Sequence, residues 1–428
     1  MSGAAVALPA TLIPPGDLLI VGIDSGTGSS RVNAKHVHGI HTRESATIRV
    51  IRLKADQDVA TKQILILHKD GNIVYGNHDV NKAIQQNQEL RAKVMRRIKL
   101  ALHPEFSKLD DVVHTLATIF AEKDWAALQD LFEDFLRAVL NDVRAAFKRP
   151  GYRAGKPDSY WDAIPLEIHI SVPAMWNDGQ RGTVRNAAQR AAMASGRSRK
   201  NPMIDLCEEA LCVAIYFLSK NLDVEVGSLY TFVDDGDGTL DITTAVVTRA
   251  HSLSAPMQIQ RVGLCSGSGA GAHMINAAAE AWVIKRYGES EVNRKCRQLD
   301  ISRHEFSRQL WKEIDKLKKD MDESSIGDLH YIRINSRNGR MEPGRLPGWN
   351  IPLTDEGIVE WWDEWTISAD QTLQEHLAAL SAERELTNTS AILTGVSFAI
   401  IFEALSGALL TSMPISRVEP RAPSSSSA

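Results

Sequence analysis

Two short segments bring aspartate, glycine and threonine together in the way a polyphosphate and its metal require. The first, VGIDSGTGSS at residues 21–30, follows an apolar run with Asp24, Gly26, Thr27 and Gly28. The second, FVDDGDGTLD at residues 232–241, repeats the plan with Asp234, Gly236, Gly238, Thr239 and Asp241. Glycine lets backbone N–H groups approach an anion closely, and concavities of such groups hold phosphate. Threonine hydroxyls add donors. A carboxylate repels phosphate but holds Mg2+ through the metal's water shell. Two such turns facing each other would clamp a triphosphate and its metal, and phosphoryl transfer asks mostly for that positioning and charge stabilisation. Either turn alone reads as an ordinary hairpin; the weight rests on the pair.

Strands must present these turns. Leu18–Ile23 (LLIVGI) is a continuous apolar run, as a buried central strand requires. Leu229–Asp234 and Leu240–Thr248 read as the strands on either side of the second turn. Leu166–Val172 reads as another strand and Gly179–Ala194 as a helix rich in Arg and Ala. Ile64–Leu67 and Ile73–Tyr75 flank Lys69-Asp70-Gly71-Asn72, a hairpin signal. Helical patterning covers 83–101, 108–148, Glu208–Leu218, 304–321 and most of 355–384, and Ser390–Leu393 reads as a short strand. This alternation predicts an α/β fold. Residues 1–16, ending Pro14-Pro15-Gly16, read as a flexible arm, and the Ser/Pro-rich stretch 413–428 as a disordered tail.

Between the two turns lies SVPAMWNDGQRGTVRNAAQRAAM (residues 171–193): a Val-Pro-Ala turn, then Asn-Asp-x-Gln-Arg, then an Ala-rich helix. Taken with the turns, this order of motifs resembles the nucleotide-binding domain of the heat shock protein 70 and actin superfamily over most of residues 17–400. The resemblance implies an actin-like fold of two lobes, 17–225 and 226–412, each a mixed sheet with flanking helices, with ATP or ADP and Mg2+ in the cleft between them. It implies that Asp24, Asp234 and Asp241 hold the hydrated metal, and that Gly26, Thr27, Gly28, Gly236, Gly238 and Thr239 hold phosphate. Asp234 and Thr239 count among the catalytic groups as well. Glu209 falls where the family has a glutamate that orders the metal's water shell and the attacking water; alternatively it is an exposed first-turn carboxylate complementing a helix dipole. Lys99, in RRIKLALHPE, matches the lysine that reaches the γ-phosphate, or is a solvated surface lysine. RVGLCSGSGAGAHMIN (261–276) is similar to the family's Gly-rich segment, which would set Gly263, Gly267 and Gly269 near phosphate. ILTGVSFA (392–399) is similar to the adenosine-binding turn, with Gly395 under the base and ribose. Glu313 and Lys316 either flank the adenine or form an ordinary solvated helix face. The implied activity is ATP binding, with slow hydrolysis, in a chaperone-like protein close to the divergent fungal members that keep only the nucleotide-binding lobes.

Three positions depart from the family pattern. Asp237 stands at the middle glycine of the second loop, Ala210 replaces the proline after Glu209, and Val396 replaces the second glycine of the adenosine turn. Two charges roughly 4 Å apart at an effective dielectric of about 20 interact by about 4 kcal/mol, so a carboxylate at 237 aimed at phosphate weakens nucleotide binding unless it is screened. Val396 would crowd a nucleoside. These departures keep open a degenerate module that binds nucleotide without hydrolysing it, or a scaffold.

Composition narrows the rest. The 428-residue chain carries a net charge of -4, so no basic surplus argues for nucleic acid. Its four cysteines show neither CxxC spacing nor a secreted framework and read as reduced thiols of a cytoplasmic protein. The N-terminus has no basic region before its apolar residues, so no signal peptide is expected. The apolar stretch near Ala391–Leu410 is too polar for a membrane span. GSGAGA (267–272) fits a dinucleotide fingerprint, but no acidic residue ends a second strand about twenty positions later. No GxxxxGK[ST] occurs. His36, His38 and His41 raise a metal site, against the simpler reading of an exposed polar strand face. Trp361, Trp362 and Trp365 read as core residues rather than a stacking platform.

Overall fold

The computed structural model describes residues 16–26, 30–37, 49–50, 60–61, 64–66, 73–75, 77–87, 90, 94–95, 99, 102, 125–149, 155–197, 201–220, 224–250, 257–269, 271–320, 330–336, 348–383, 389–395 and 415–417. It is a mixed α/β structure that divides into two compact units, Met1–Cys212 and Val213–Ala428.

In the first unit the described elements are β1 (Leu18–Ser25), β2 (Ser30–Val37), β3 (Arg49–Val50), β4 (Ala60–Thr61), β5 (Ile64–Ile66), β6 (Ile73–Tyr75), α1 (Asn77–Gln86), β7 (Val94–Met95), α2 (Trp125–Phe147), α3 (Asp158–Ala163), β8 (Leu166–Val172), α4 (Asp178–Ala194) and β9 (Met203–Glu208), followed by α5 (Glu209–Lys220), which runs into the second unit. The main sheet has the order β3-β2-β1-β8-β9, with β4 also on β2. β2 runs antiparallel to β1, while β8 and β9 run parallel to it. Leu19, Val21 and Ile23 point alternately into a core shared with Phe132, Phe135 and Val139 of α2 and with Val184, Ala187 and Ala191 of α4. The three- and four-residue spacing on each helix makes one apolar stripe, and the small alanines of α4 let it lie close to its neighbours.

In the second unit the elements are β10 (Leu229–Asp235), β11 (Leu240–Arg249), β12 (Gln258–Ser268), α6 (His273–Tyr287), α7 (Glu289–Leu299), α8 (Arg303–Asp320), β13 (His330–Asn335), β14 (Gly348–Leu353), α9 (Asp355–Glu383), β15 (Thr389–Gly395) and β16 (Ile415–Arg417). Its main sheet has the order β12-β11-β10-β15-β16. β12 and β11 are antiparallel, as are β11 and β10; β15 and β16 run parallel to β10. Trp282, Trp349, Trp361, Trp362, Trp365 and Phe306 fill one core, so the tryptophan cluster packs as expected.

The two units thus share one sheet plan. In each, two antiparallel strands precede a first strand that is followed across the sheet by two parallel ones. β1 carries Asp24 as its penultimate residue and β10 carries Asp234 and Asp235 as its last two, and in each case four residues separate the strand from its antiparallel partner. Ser25 pairs with Ser30 around 26–29, and Asp235 pairs with Leu240 around 236–239.

Several elements differ from their sequence expectation. Within the span 83–101 expected to be helical, α1 ends at Gln86, Val94–Met95 instead pairs with Ile64–Leu65 as β7, and Lys99 is helical again. The polar stretch after Gln86 offers no apolar stripe to continue the helix, and β-branched Val94 suits the pleated pairing. The 108–148 helix begins, among the described residues, at Trp125. Ile64–Ile66 and Ile73–Tyr75 pair antiparallel, as the hairpin signal predicts, while 67–72 lie outside the described residues. Ile415–Arg417, assigned by composition to a tail, lies parallel to β15 and supplies partners for an otherwise open strand edge. β9 and β12 escaped notice because their mixed polar and glycine-rich sequences lack period-two apolar alternation. Among the described residues no helix is long and apolar enough to cross a membrane.

Candidate functional site

In the first unit the parallel strands β1, β8 and β9 end on one edge of the sheet, where open α/β sheets bind ligands. Asp24 is exposed there, and Ser171 Oγ donates to its Oδ1 over 2.9 Å. The segment after Ser171 builds the start of α4. Asn177 caps the helix, accepting from Gln180 N at 3.1 Å while its own N–H donates to Gln180 Oε1 at 2.8 Å. Such a capping box satisfies two end donors at once. Arg181 Nε donates to Trp176 O at 2.8 Å, and its Nη2 donates to Ala174 O at 3.2 Å and to Glu208 Oε1 at 2.9 Å. The Asn-Asp-x-Gln-Arg signature therefore fastens the turn after β8 to the end of β9.

Glu209 opens α5 and forms an ion pair with Lys99. Lys99 is 2% exposed, so the solvated-lysine alternative fails, and Glu209 is not an exposed first-turn carboxylate either. A buried ammonium needs a counter-charge, and Glu209 supplies it. Gly26 is described at the end of β1, whereas Thr27 and Gly28 lie outside the described residues.

In the second unit Asp234 and Asp235 end β10 beside Thr394 and Gly395 of the parallel β15. The turn closes with Gly236 N donating to Thr239 O at 2.9 Å. Thr239 Oγ1 donates to Asp241 Oδ2 at 2.7 Å, and both residues are buried. Asp234 is half-buried. Gly267 lies opposite Asp241 on β12, and Gly269 follows just beyond the strand. The start of α6 rests directly on the turn: Ala272 N donates to Gly236 O at 2.9 Å and His273 N to Asp237 O at 2.8 Å. Behind β12, Ser266 Oγ meets His376 Nδ1 at 2.8 Å, and Thr372 Oγ1 donates to Ser268 Oγ at 3.0 Å, so the glycine-bearing end of β12 is pinned to α9.

Gly238 and Gly271 meet at the closest point of this arrangement. A Cβ on Gly271 would stand 2.4 Å from the Gly238 carbonyl carbon and 2.5 Å from Thr239 N, both backbone atoms. Gly271→Ala is expected to displace the turn and destabilise the second unit by about 1–3 kcal/mol. Urea unfolding followed by tryptophan fluorescence, with most of the signal in the second-unit core, measures it.

Each half thus gathers most of its sequence-derived candidates: Asp24, Lys99 and Glu209 near the carboxyl ends or helix start of the first sheet, and Asp234, Gly236, Gly238, Thr239, Asp241, Gly267 and Gly395 around the turn of the second. Sequence reasoning overlooked Ser171, Arg181, Glu208 and His376. The first two sit inside the quoted 171–193 segment, and a polar residue ending a parallel strand was the available signal. Glu313 and Lys316 pair with each other at 2.6 Å, as on an ordinary solvated helix face. His36 is not on an exposed polar face: it is half-buried, bonded to the Tyr160 hydroxyl at 2.9 Å and set edge-on to Trp161. Burial and the hydrogen bond to Asp17 push the Tyr160 phenol above its ordinary range. His38 and His41 lie outside the described residues.

Among the described residues no group of three or more His, Cys, Asp or Glu side chains gathers around a bare cation. The carboxylates at the turns suit a hydrated Mg2+, which keeps several waters and takes one or two carboxylates. Asp24, open to solvent and oriented by Ser171, fits that role best, while Asp241 is engaged by Thr239. Compared with known proteins, the chain matches no protein-family model and none of the curated sequences.

Proposed function

We propose that this chain is an actin-like ATPase-type protein, nearest in kind to the nucleotide-binding domain of heat shock protein 70 chaperones, and that it holds ATP with Mg2+ through the turns after β1 and β10. One observation carries this reading: the same strand order and sense occurs in both units, each with an aspartate in the last two positions of its first strand and four residues between that strand and its antiparallel partner. A single such hairpin is commonplace, but two in equivalent places of duplicated sheets have a shared purpose.

The residues divide the work as follows. Backbone N–H groups and Thr27 and Thr239 hydroxyls hold the β- and γ-phosphates. Asp24 and Asp234 hold the metal's water shell, and Mg2+ when bound neutralises developing charge on the phosphoryl oxygens. Glu209, paired with Lys99, orients water, and Ser171 fixes the rotamer of Asp24. A second reading, a nucleotide-binding switch that does not hydrolyse ATP, draws on the bond between Thr239 and the fully buried Asp241, which occupies two of the proposed site groups with each other.

Calorimetric titration with Mg-ATP and Mg-ADP tests the proposal, and single-turnover hydrolysis separates its two forms. Asp24→Asn is expected to weaken Mg-ATP binding by about 10–100-fold, the usual cost of losing a group that orders a metal's surroundings. Unchanged affinity in Asp24→Asn would remove Asp24 from the site, and absence of binding by the wild-type protein would leave the scaffold alternative.

A further inference from the structure

Arg308, Lys312 and Lys316 stand four residues apart on α8 and form one cationic column along the helix. Like charges at that spacing repel and cost helix stability, so the column calls for counter-charges. Glu305 supplies one to Arg308 by accepting from both Nε and Nη2, and Glu313 pairs with Lys316 at 2.6 Å. Lys312, the middle member, is exposed and joins no ion pair among the described residues. The same holds for Arg333 on β13. These two cations line one cavity of about 230 Å³ between α8 and β13, with Arg308, Gln309, Glu313 and Asn335 completing its wall. We propose that this groove binds a small phosphomonoester, whose two negative charges Lys312 and Arg333 neutralise.

Three features support the assignment. The first is that the walls are fixed in advance. Gln309 clamps α8 to the end of β13: its Oε1 accepts from Asn335 N at 2.8 Å, and its Nε2 donates to Asn335 O at 3.2 Å. Beneath the groove, Leu310 and Ile314 of α8 share a core with Ile332 and Ile334 of β13. Walls already ordered lower the entropic cost of binding. The second feature is charge. With Arg308 and Glu313 each paired, Lys312 and Arg333 leave two positive charges, which match a phosphomonoester above its second ionisation at about pH 6. A guanidinium forks onto two phosphate oxygens, and an ammonium serves as a point charge. The third is size. The cavity lies below the roughly 300–1,000 Å³ usual for organic ligands, so it suits a phosphate on a short carbon chain rather than a nucleotide. Glu313 and Asn335 then choose between ester and free phosphate: a carboxylate repels a bare anion but accepts from a hydroxyl on the carbon chain. None of these residues belongs to the turns assigned to ATP, so the groove does not depend on nucleotide binding.

The test is calorimetric titration of the intact chain with glycerol 3-phosphate at fixed ionic strength, with inorganic phosphate and succinate as competitors. Glycerol 3-phosphate is expected to bind, inorganic phosphate to compete more weakly, and succinate, whose two charges sit on separate carbons, not to compete. Lys312→Gln and Arg333→Gln are each expected to weaken binding by about tenfold or more, the worth of a charged hydrogen bond. Both positions are exposed, so the variants should fold as the wild type does. Lys285→Gln removes an equally exposed charge outside the groove and is expected to leave the affinity unchanged. Absence of binding at millimolar concentration would overturn the proposal. Unchanged affinity in both groove variants would place the phosphate elsewhere, and equal weakening in Lys285→Gln would reduce the effect to overall charge; either result overturns it as well. Tighter binding of inorganic phosphate than of the ester, or competition by succinate, would overturn the assignment to a phosphomonoester.

Discussion

Lys99→Met is expected to destabilise the first unit by on the order of 3–5 kcal/mol, the cost of stranding one half of a buried ion pair. The side chains of Lys99 and Glu209 are 3% and 13% exposed, so neither charge has much water to fall back on. Methionine keeps most of the aliphatic volume and removes the ammonium, which leaves the Glu209 carboxylate desolvated at the start of α5. Some of the loss is offset because a helix N-terminus favours a negative charge. Glu209→Leu alone should cost a similar amount by stranding the ammonium. The double variant Lys99→Met with Glu209→Leu removes both charges and should recover most of the stability, since a well-packed apolar pair often replaces a buried ion pair at little cost. Urea unfolding of the four proteins forms a double-mutant cycle whose coupling energy measures the pair. Additive single effects would show that the two charges do not interact. Single-turnover hydrolysis on the double variant separates structure from catalysis: recovered stability with lost turnover assigns the pair a part in the reaction.

His376 is expected to make the second unit sensitive to acid below neutrality. It is 1% exposed, and burial lowers its pKa from 6.5 to about 4. Its two ring nitrogens meet Thr244 Oγ1 at 2.9 Å and Ser266 Oγ at 2.8 Å, and Thr244 in turn meets Thr231 at 2.8 Å. Hydroxyls rotate to serve a neutral ring, one as donor and one as acceptor. Between pH 6.5 and about 4 the unfolded chain binds the proton and the folded chain resists it. Stability present above 6.5 is therefore lost as the pH falls towards 4, by on the order of 3 kcal/mol for this residue. His376→Gln should remove this part of the pH dependence while carboxylates continue to titrate, so the difference between wild type and variant across pH 4–7 isolates it. Equal slopes in thermal or urea melts would show that the folded protein accommodates the imidazolium. Because Ser266 precedes Gly267, the same proton would loosen the glycine-bearing end of β12 before the whole unit unfolds.

Much of the scaffold could be read directly. The apolar run Leu18–Ile23 and the segment Leu166–Val172 became the adjacent parallel strands β1 and β8, whose most apolar residues face the core. The three- and four-residue stripes of α2, α4 and α9 identified their core faces, and Trp361, Trp362 and Trp365 followed. The two aspartate-bearing turns were visible because glycine and aspartate mark a sharp reversal locally, with no help from distant residues.

What lay beyond the sequence was pairing across long separations. Periodicity reports which face of an element is apolar, not which polar group it will meet. Nothing around Lys99 announces that its ammonium is buried against Glu209, and nothing around His376 announces Thr244 and Ser266, 132 and 110 positions away. The same holds for β9, β12 and β16, whose mixed or glycine-rich residues become strands because a neighbour offers open backbone donors and acceptors. Local composition determined the turns, the core faces and the α/β class. The tertiary structure alone decided which charges are buried together and that both sheets follow one plan, because desolvation and edge pairing depend on partners that only folding brings near.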